Sequence, residues 1–173
     1  NPGQLGLIYQ DVRFPARGGD AQLAGWYLPH DSHRAALVMV HGKDGSRTNE
    51  QHRRNLEFLD ALHKQGFALL AIDLGGHGQS SDARFSFGVQ ESRDVLGGVD
   101  YLTGQGYSRS QIGLHGVSMG AASVLLAAAQ DPQVPAVNAD CGYADFGRLM
   151  RREWHRRTQP HHPLRGGARV QGG

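Results

Sequence analysis

The segment Ile112-Gly113-Leu114-His115-Gly116-Val117-Ser118-Met119-Gly120 runs from a predicted strand into a Gly-x-Ser-x-Gly turn, and the nearly all-apolar residues 121–129 follow it. This order predicts a buried strand, a sharp turn and a buried helix. The two outer glycines allow the backbone to turn sharply and the helix to pack closely. Ser118 is then expected at the carboxyl end of a sheet, at the positive helix N-terminus, where it becomes the candidate nucleophile.

The rest of the chain alternates between buried strands and amphipathic helices. Apolar runs at 36–40 and 68–72 predict two further buried strands, the first covered on both faces, and residues 136–139 predict a shorter strand. Helices are predicted between them, the first opened by a capping-box pattern at residues 48–51, and a last one spans about 146–154. Residues 11–14 and 23–28 predict an N-terminal antiparallel hairpin. The fold class expected is α/β, with a doubly wound, mainly parallel sheet.

Composition bounds the possible functions. The 173 residues are 39% hydrophobic and 20% charged, which suits one domain with one core. No apolar run approaches the ~18 residues of a membrane helix, and the single cysteine, Cys141, excludes an internal disulfide. The formal charge is only +2, and the basic residues cluster only near the C-terminus, so no nucleic-acid partner is expected. A cytoplasmic location is the default expectation, and an anchor or signal upstream of Asn1 stays open.

Two glycine-rich loops follow the first two predicted parallel strands. The loop His41-Gly42-Lys43-Asp44-Gly45 can aim a backbone N–H at a developing oxyanion, so the predicted donors are the N–H groups of Lys43 and Met119. The second loop, residues 73–80, contains Asp73 and His77. Both precede the serine in sequence, and we interpret this loop as structural bracing beside the site.

Together these motifs resemble the α/β-hydrolase superfamily, over about residues 5–150. Residues 12–14 and 23–29 resemble its esterase-like and serine-peptidase-like members that lack a large lid. The resemblance implies a serine hydrolase that acts on a small-molecule ester, amide or thioester through an acyl-enzyme on Ser118. It implies no metal or organic cofactor.

The chain departs from the family pattern after Ser118, because the family places its acid and then its histidine downstream. Residues 141–173 lack strand character, and one more strand–helix–strand unit needs roughly 30 residues. The fold is therefore expected to be incomplete, with the last two strands missing. We expect a hydrolase core at 1–157 and a low-complexity tail at 158–173, the result of truncation or a frameshift.

Local residues are the remaining candidates for the acid and the base. Asp140, directly after the last predicted strand, is the first candidate acid and Asp145 the second. The candidate bases are His155, His161, His162 or a histidine lent by a partner chain. A paired metal site at 161–162 lacks a third ligand at useful spacing.

Two further expectations concern partners and activity. The strand at 136–140 would form an exposed sheet edge, which predicts a homodimer or higher oligomer. The alternative to a hydrolase is a non-catalytic remnant of the fold that binds small acyl compounds or a protein partner.

Overall fold

The computed structural model describes residues 1–19, 21–49, 54–84, 86–143 and 145–158. The predicted tail, apart from its first residue, lies outside these ranges. The strands are β1 (Gln10–Pro15), β2 (Gln22–Leu28), β3 (Ala35–Val40), β4 (Phe67–Asp73), β5 (Ile112–Val117) and β6 (Ala136–Asp140). The helices are α1 (Asn55–Lys64), α2 (Val89–Gly104), α3 (Met119–Gln130) and α4 (Phe146–Thr158), with short 3-10 turns at Pro2–Leu5 and Arg109–Gln111.

One six-stranded sheet organises the chain, in the order β1-β2-β4-β3-β5-β6. The strands β4, β3, β5 and β6 are parallel neighbours, while β1 and β2 form an antiparallel hairpin and β2 runs antiparallel to β4. This mixed sheet with an N-terminal hairpin confirms the predicted fold class. Because the carboxyl ends of parallel strands share one edge, the loops after β3, β4, β5 and β6 all open at the same edge.

Helices cover both faces of the sheet. On one face α1 packs against an apolar cluster of Trp26, Leu28, Met39, Leu59, Leu69 and Ala71. On the other face α2 and α3 cover the larger core, which includes Val38, Leu70, Val99, Ile112, Leu114 and Val124. Consecutive residues of β3 and β4 enter opposite clusters, which explains why these two strands are continuous apolar runs in the sequence. In the described part of the chain, the helices are too short or too polar to cross a membrane.

The first helix begins later than the sequence pattern predicts. Thr48 lies in a turn, residues 50–53 lie outside the described part, and α1 begins at Asn55. The Ser46 N–H donates to Oδ1 of Asn49 at 2.8 Å, and the hydroxyls of Ser46 and Thr48 are 2.7 Å apart. The predicted helix start at Thr48 is therefore wrong, because these short polar side chains bond locally and stabilise a turn instead of a helix.

The sheet ends at β6, and this edge bears on the predicted association. Within the described residues β6 pairs only with β5, and four of its five residues are exposed. An unpaired edge offers its backbone groups to another chain. We therefore expect a dimer or larger species by light scattering, and a lower mass for Asn138→Lys, which places a charge on the edge strand. Gln133→Lys, at an exposed position outside the sheet, is the matched control. A monomeric wild-type mass would contradict this prediction.

Candidate active site

Ser118 occupies the turn between β5 and α3. Its backbone has φ 54° and ψ −111°, and its side chain is exposed. A positive φ at a residue other than glycine costs of order 1–3 kcal/mol and persists only where the surroundings enforce it. Here the Ser118 N–H donates to the carbonyl oxygen of Asp140 at 2.8 Å, which anchors the turn to the end of β6. The Ser118 hydroxyl makes no capping hydrogen bond to the first turn of α3.

The two motif glycines make this turn possible by close backbone contact. A Cβ on Gly116 would overlap the carbonyl group of Gly120. A Cβ on Gly120 would lie 2.5 Å from the His41 carbonyl oxygen and 2.6 Å from that of Val40. The start of α3 therefore packs directly on the end of β3, and this contact brings the loop after β3 next to the Ser118 turn.

His41 ties the loop after β3 to the loop after β4. Its imidazole is buried, with 2% relative exposure, and its Nδ1 lies 2.7 Å from the Gly42 carbonyl oxygen. On the other side of the ring, the Leu74 N–H donates to Nε2 at 3.0 Å. A backbone N–H can only donate, so Nε2 is the acceptor and Nδ1 carries the proton.

The two predicted oxyanion donors are close in sequence to the contact between Gly120 and the end of β3. Met119 precedes Gly120, and Lys43 lies two residues after His41. Met119 is the first residue of α3 and has a buried side chain. Lys43 is exposed, and its Nζ lies 2.7 Å from the carboxylate of Asp44, a residue at φ 60°. The roles of Lys43 and Met119 stay predictions.

Asp73 is held by donors from its own loop and from the loop after β3. Its carboxylate accepts the backbone N–H groups of Arg47 and Gln79, both at 2.8 Å, and forms an ion pair with the buried guanidinium of Arg47. The hydroxyl of Ser80 donates to the Asp73 carbonyl oxygen at 2.6 Å, and the Arg47 guanidinium lies 5.0 Å from the centre of the Trp26 ring. These contacts join the loop after β3 to the loop after β4; the interpretation of residues 73–80 as structural bracing stays a prediction.

The candidate acids differ in their surroundings. Asp140 ends β6 beside the Ser118 turn, and its exposed carboxylate accepts the thiol of Cys141 at 3.2 Å. That hydrogen bond, with the added charge repulsion, raises the pKa of the Cys141 thiol. Asp145, in contrast, accepts the Arg148 N–H at 2.8 Å and caps α4. Asp140 therefore stays the candidate acid, and Asp145 is engaged as a helix cap.

Of the candidate bases, only the backbone of His155 belongs to the part of the chain that the structure describes. His155 lies within α4, and its side chain is not among those described; His161 and His162 lie outside the described residues. His115 is buried, and its ring centre lies 5.2 Å from that of Phe58, which belongs to α1. Its side chain packs on the α1 face of the sheet, as expected for a strand residue three positions before Ser118.

A tyrosine contact missed by the sequence analysis anchors the loop after β6. The Tyr143 hydroxyl donates to the Phe87 carbonyl oxygen at 2.5 Å, immediately before α2. Burial, with the charge of Glu91 added, raises the pKa of this hydroxyl and keeps it protonated as a donor. Gly142 packs beside Ala121 of α3, so the loop lies across the first turn of the helix that carries Ser118 at its start.

Neither of the two larger described cavities includes Ser118. One, of about 490 Å³, is lined by residues of the N-terminal segment, by Trp26 and by the loops after β3 and β4. The other, of about 210 Å³, lies between that loop and α2. Among the side chains that the structure describes, no three His, Cys, Asp or Glu residues come together to hold a metal ion.

A serine at positive φ between a parallel strand and a buried helix, in a sheet of this order, defines an α/β hydrolase. The family model described as serine aminopeptidase, S33 matches residues 31–140. The chain belongs to this family of the α/β-hydrolase superfamily.

Several known proteins are similar to this chain. The esterase Pf2001 of Pyrococcus furiosus superposes with a TM-score of 0.77 at 25% identity, over 92% of this chain and 63% of its own. The α/β hydrolase GrgF of Penicillium sp. sh18 gives a TM-score of 0.64 at 25% identity, over 76% of this chain and 45% of its own. In sequence, the uncharacterized protein YqkD of Bacillus subtilis (strain 168) is 32% identical over 74% of this chain and 41% of its own length. This chain thus spans about two fifths of that relative.

Proposed function

We propose that the protein is a carboxylesterase-like serine hydrolase that forms an acyl-enzyme on Ser118. The observation that carries this proposal is the exposed serine at φ 54° and ψ −111° between β5 and α3. A backbone conformation that costs energy and leaves the serine hydroxyl exposed is typical of a nucleophile. The similarity to the Pyrococcus furiosus esterase covers 92% of this chain, and it favours an ester over a peptide bond as the substrate.

The reaction has two balanced steps. The Ser118 Oγ attacks the ester carbonyl carbon, the Oγ proton passes to a base, and the alcohol leaves after it takes up a proton. The acyl group is now joined to Oγ. Water then attacks the same carbonyl carbon, the carboxylic acid leaves, and a proton returns to the serine oxygen.

Negative charge develops on the carbonyl oxygen in both steps. The backbone N–H groups of Met119 and Lys43 are the proposed donors to that oxygen. The Met119 N–H also lies at the N-terminus of α3, where the helix dipole favours an anion. Donors of this kind are worth about 10²–10³-fold in rate each, because they are already oriented before charge appears.

The base and the acid complete the proposal. Asp140 is the proposed acid, because its backbone carbonyl oxygen, at the end of β6, accepts the Ser118 N–H. The base is proposed to be His155, His161, His162 or a histidine from a partner chain. Triad members act as a unit, so a chain without its histidine would acylate slowly and deacylate more slowly still.

A fluorophosphonate probe tests the proposal directly. We expect one covalently bound phosphonyl group per chain, mapped to Ser118 by mass spectrometry of the peptides. The chain carries a matched internal control in Ser123, a buried serine one turn further along α3. No labelling, or labelling at serines other than Ser118, would contradict the proposal and favour the binding-only alternative.

A further inference from the structure

The contact between His41 and Gly42 involves the same peptide group as the proposed oxyanion donor. The Gly42 carbonyl oxygen accepts the Nδ1 proton of His41 at 2.7 Å. The N–H of Lys43 belongs to that same Gly42–Lys43 peptide. Because the peptide is planar and trans, its C=O and N–H point in opposite directions. An imidazole that holds the carbonyl therefore also sets the direction of the Lys43 N–H.

The imidazole is itself held at its far side. Leu74, in the loop after β4, donates its N–H to Nε2 at 3.0 Å, and the ring is 98% shielded from solvent. The ring therefore has one tautomer and one orientation, set by a backbone group 33 residues away in sequence. The His41 carbonyl also lies against Gly120, so His41 contacts both loops that supply the proposed donors.

We propose that His41 is a positioning residue for the oxyanion hole: its Nδ1–H fixes the Gly42–Lys43 peptide so that the Lys43 N–H faces the developing negative charge. This inference rests on the proposed function of Ser118 and Lys43. A hydrogen bond to the carbonyl also polarises the peptide, which makes its N–H a stronger donor. In this proposal His41 contacts neither the substrate nor the reacting atoms and acts through the Gly42–Lys43 peptide. Its ring centre also lies 5.1 Å from that of His77.

Two substitutions separate the two hydrogen bonds of the ring. The amide nitrogen of asparagine lies three bonds from Cα, like Nδ1, so His41→Asn can still donate to the Gly42 carbonyl. The amide of glutamine lies four bonds from Cα, like Nε2, so His41→Gln can still accept from the Leu74 N–H. The first variant keeps the proposed positioning contact and the second keeps the contact between the loops.

The measurements are the burst rate constant and KM with p-nitrophenyl acetate, together with the thermal midpoint of each variant. We expect His41→Gln to lose about 10- to 100-fold in the burst rate constant, below the 10²–10³-fold ceiling for losing one oxyanion donor. KM should change little, because the contact acts in the transition state. The burst rate constant of His41→Asn should stay within a few-fold of the wild-type value, even if His41→Asn has a lower thermal midpoint than His41→Gln.

A purely structural His41 predicts another result. The burst rate constants of the two variants would then follow their thermal midpoints. A burst rate constant for His41→Asn that is equal to or lower than that of His41→Gln would overturn the inference. His63→Gln is the matched control, since the Nε2 of His63 contacts the Pro29 carbonyl oxygen at 2.9 Å at the end of α1. This control should leave the burst unchanged.

A readout without turnover separates this inference from the proposed function. The ¹³C shift of the Gly42 carbonyl reports whether that carbonyl accepts a hydrogen bond. We expect the shift to change in His41→Gln and to be kept in His41→Asn. A wild type with no Ser118-dependent burst would refute the proposed function, and the carbonyl shift would still test the peptide geometry. A Gly42 shift that is unchanged in both variants would refute the inference, whatever the activity.

Discussion

Replacing Ser118 with alanine is expected to abolish the burst of p-nitrophenol that the wild type releases from p-nitrophenyl acetate. The substitution removes the oxygen atom that is proposed to form the acyl-enzyme and leaves the proposed oxyanion donors in place. In enzymes of this mechanism, such residual groups still give about 10³–10⁴-fold over water, so a slow linear rate without a burst is expected. The measurement is pre-steady-state absorbance at protein concentrations high enough to count one equivalent.

The shape of the wild-type trace distinguishes the remaining alternatives. A burst followed by turnover would mean that a histidine from the tail, from α4 or from a partner chain serves as the base. A burst without turnover would mean that Ser118 acylates but lacks the group that activates water. Ser110→Ala, at an exposed serine of the short 3-10 turn before β5, is the control and should keep the burst. A burst that survives in Ser118→Ala would contradict the proposed function.

Replacing Asp73 with asparagine is expected to lower the free energy of unfolding by about 3–5 kcal/mol. Asp73 is 1% and Arg47 4% exposed, and their ion pair is accompanied by two backbone N–H donors to the carboxylate. The near-isosteric change leaves no cavity, but it leaves the buried Arg47 guanidinium with only the exposed carboxylate of Asp11, 3.8 Å away, as its counter-charge. Such a loss is a large part of the 5–15 kcal/mol that stabilises a typical domain.

Urea denaturation followed by circular dichroism measures this effect. The matched control is Glu57→Gln, because Glu57 is 70% exposed on α1 and lies 3.7 Å from the exposed Arg54. Exposed pairs of this kind contribute less than about 1 kcal/mol. An Asp73→Asn variant as stable as the Glu57→Gln control would show that the buried pair adds nothing to stability.

The fold class follows from local patterns in the sequence. Continuous apolar runs at β3 and β4 indicate buried strands, and the structure confirms both. The hairpin of β1 and β2 follows in the same way from alternation around a glycine turn. These predictions succeed because burial on both faces demands apolar residues at every position of a strand, whichever strands become its neighbours.

The start of α1 shows where local patterns fail. Residues 48–51 have capping-box spacing, but the side chains of Ser46, Thr48 and Asn49 bond to each other in a turn. The adjacent residue Arg47 is drawn into the buried pair with Asp73, and its carbonyl oxygen accepts the Asn55 side chain. Tertiary contacts thus outweigh the local helix signal and delay the helix to Asn55.

The Ser118 turn is the part of the candidate site that the sequence by itself determines. Gly116, Ser118 and Gly120 lie within five residues, and the close contact between the two glycines is a requirement of the turn itself. The contacts of His41 and Asp73 are decided only by the tertiary structure. Their partners lie 33 and 26 residues away and come within hydrogen-bond distance because β3 pairs in parallel with β4. A local motif reflects the steric requirements of its own backbone. A contact between two loops depends instead on the strand order, which places the ends of the two preceding strands side by side.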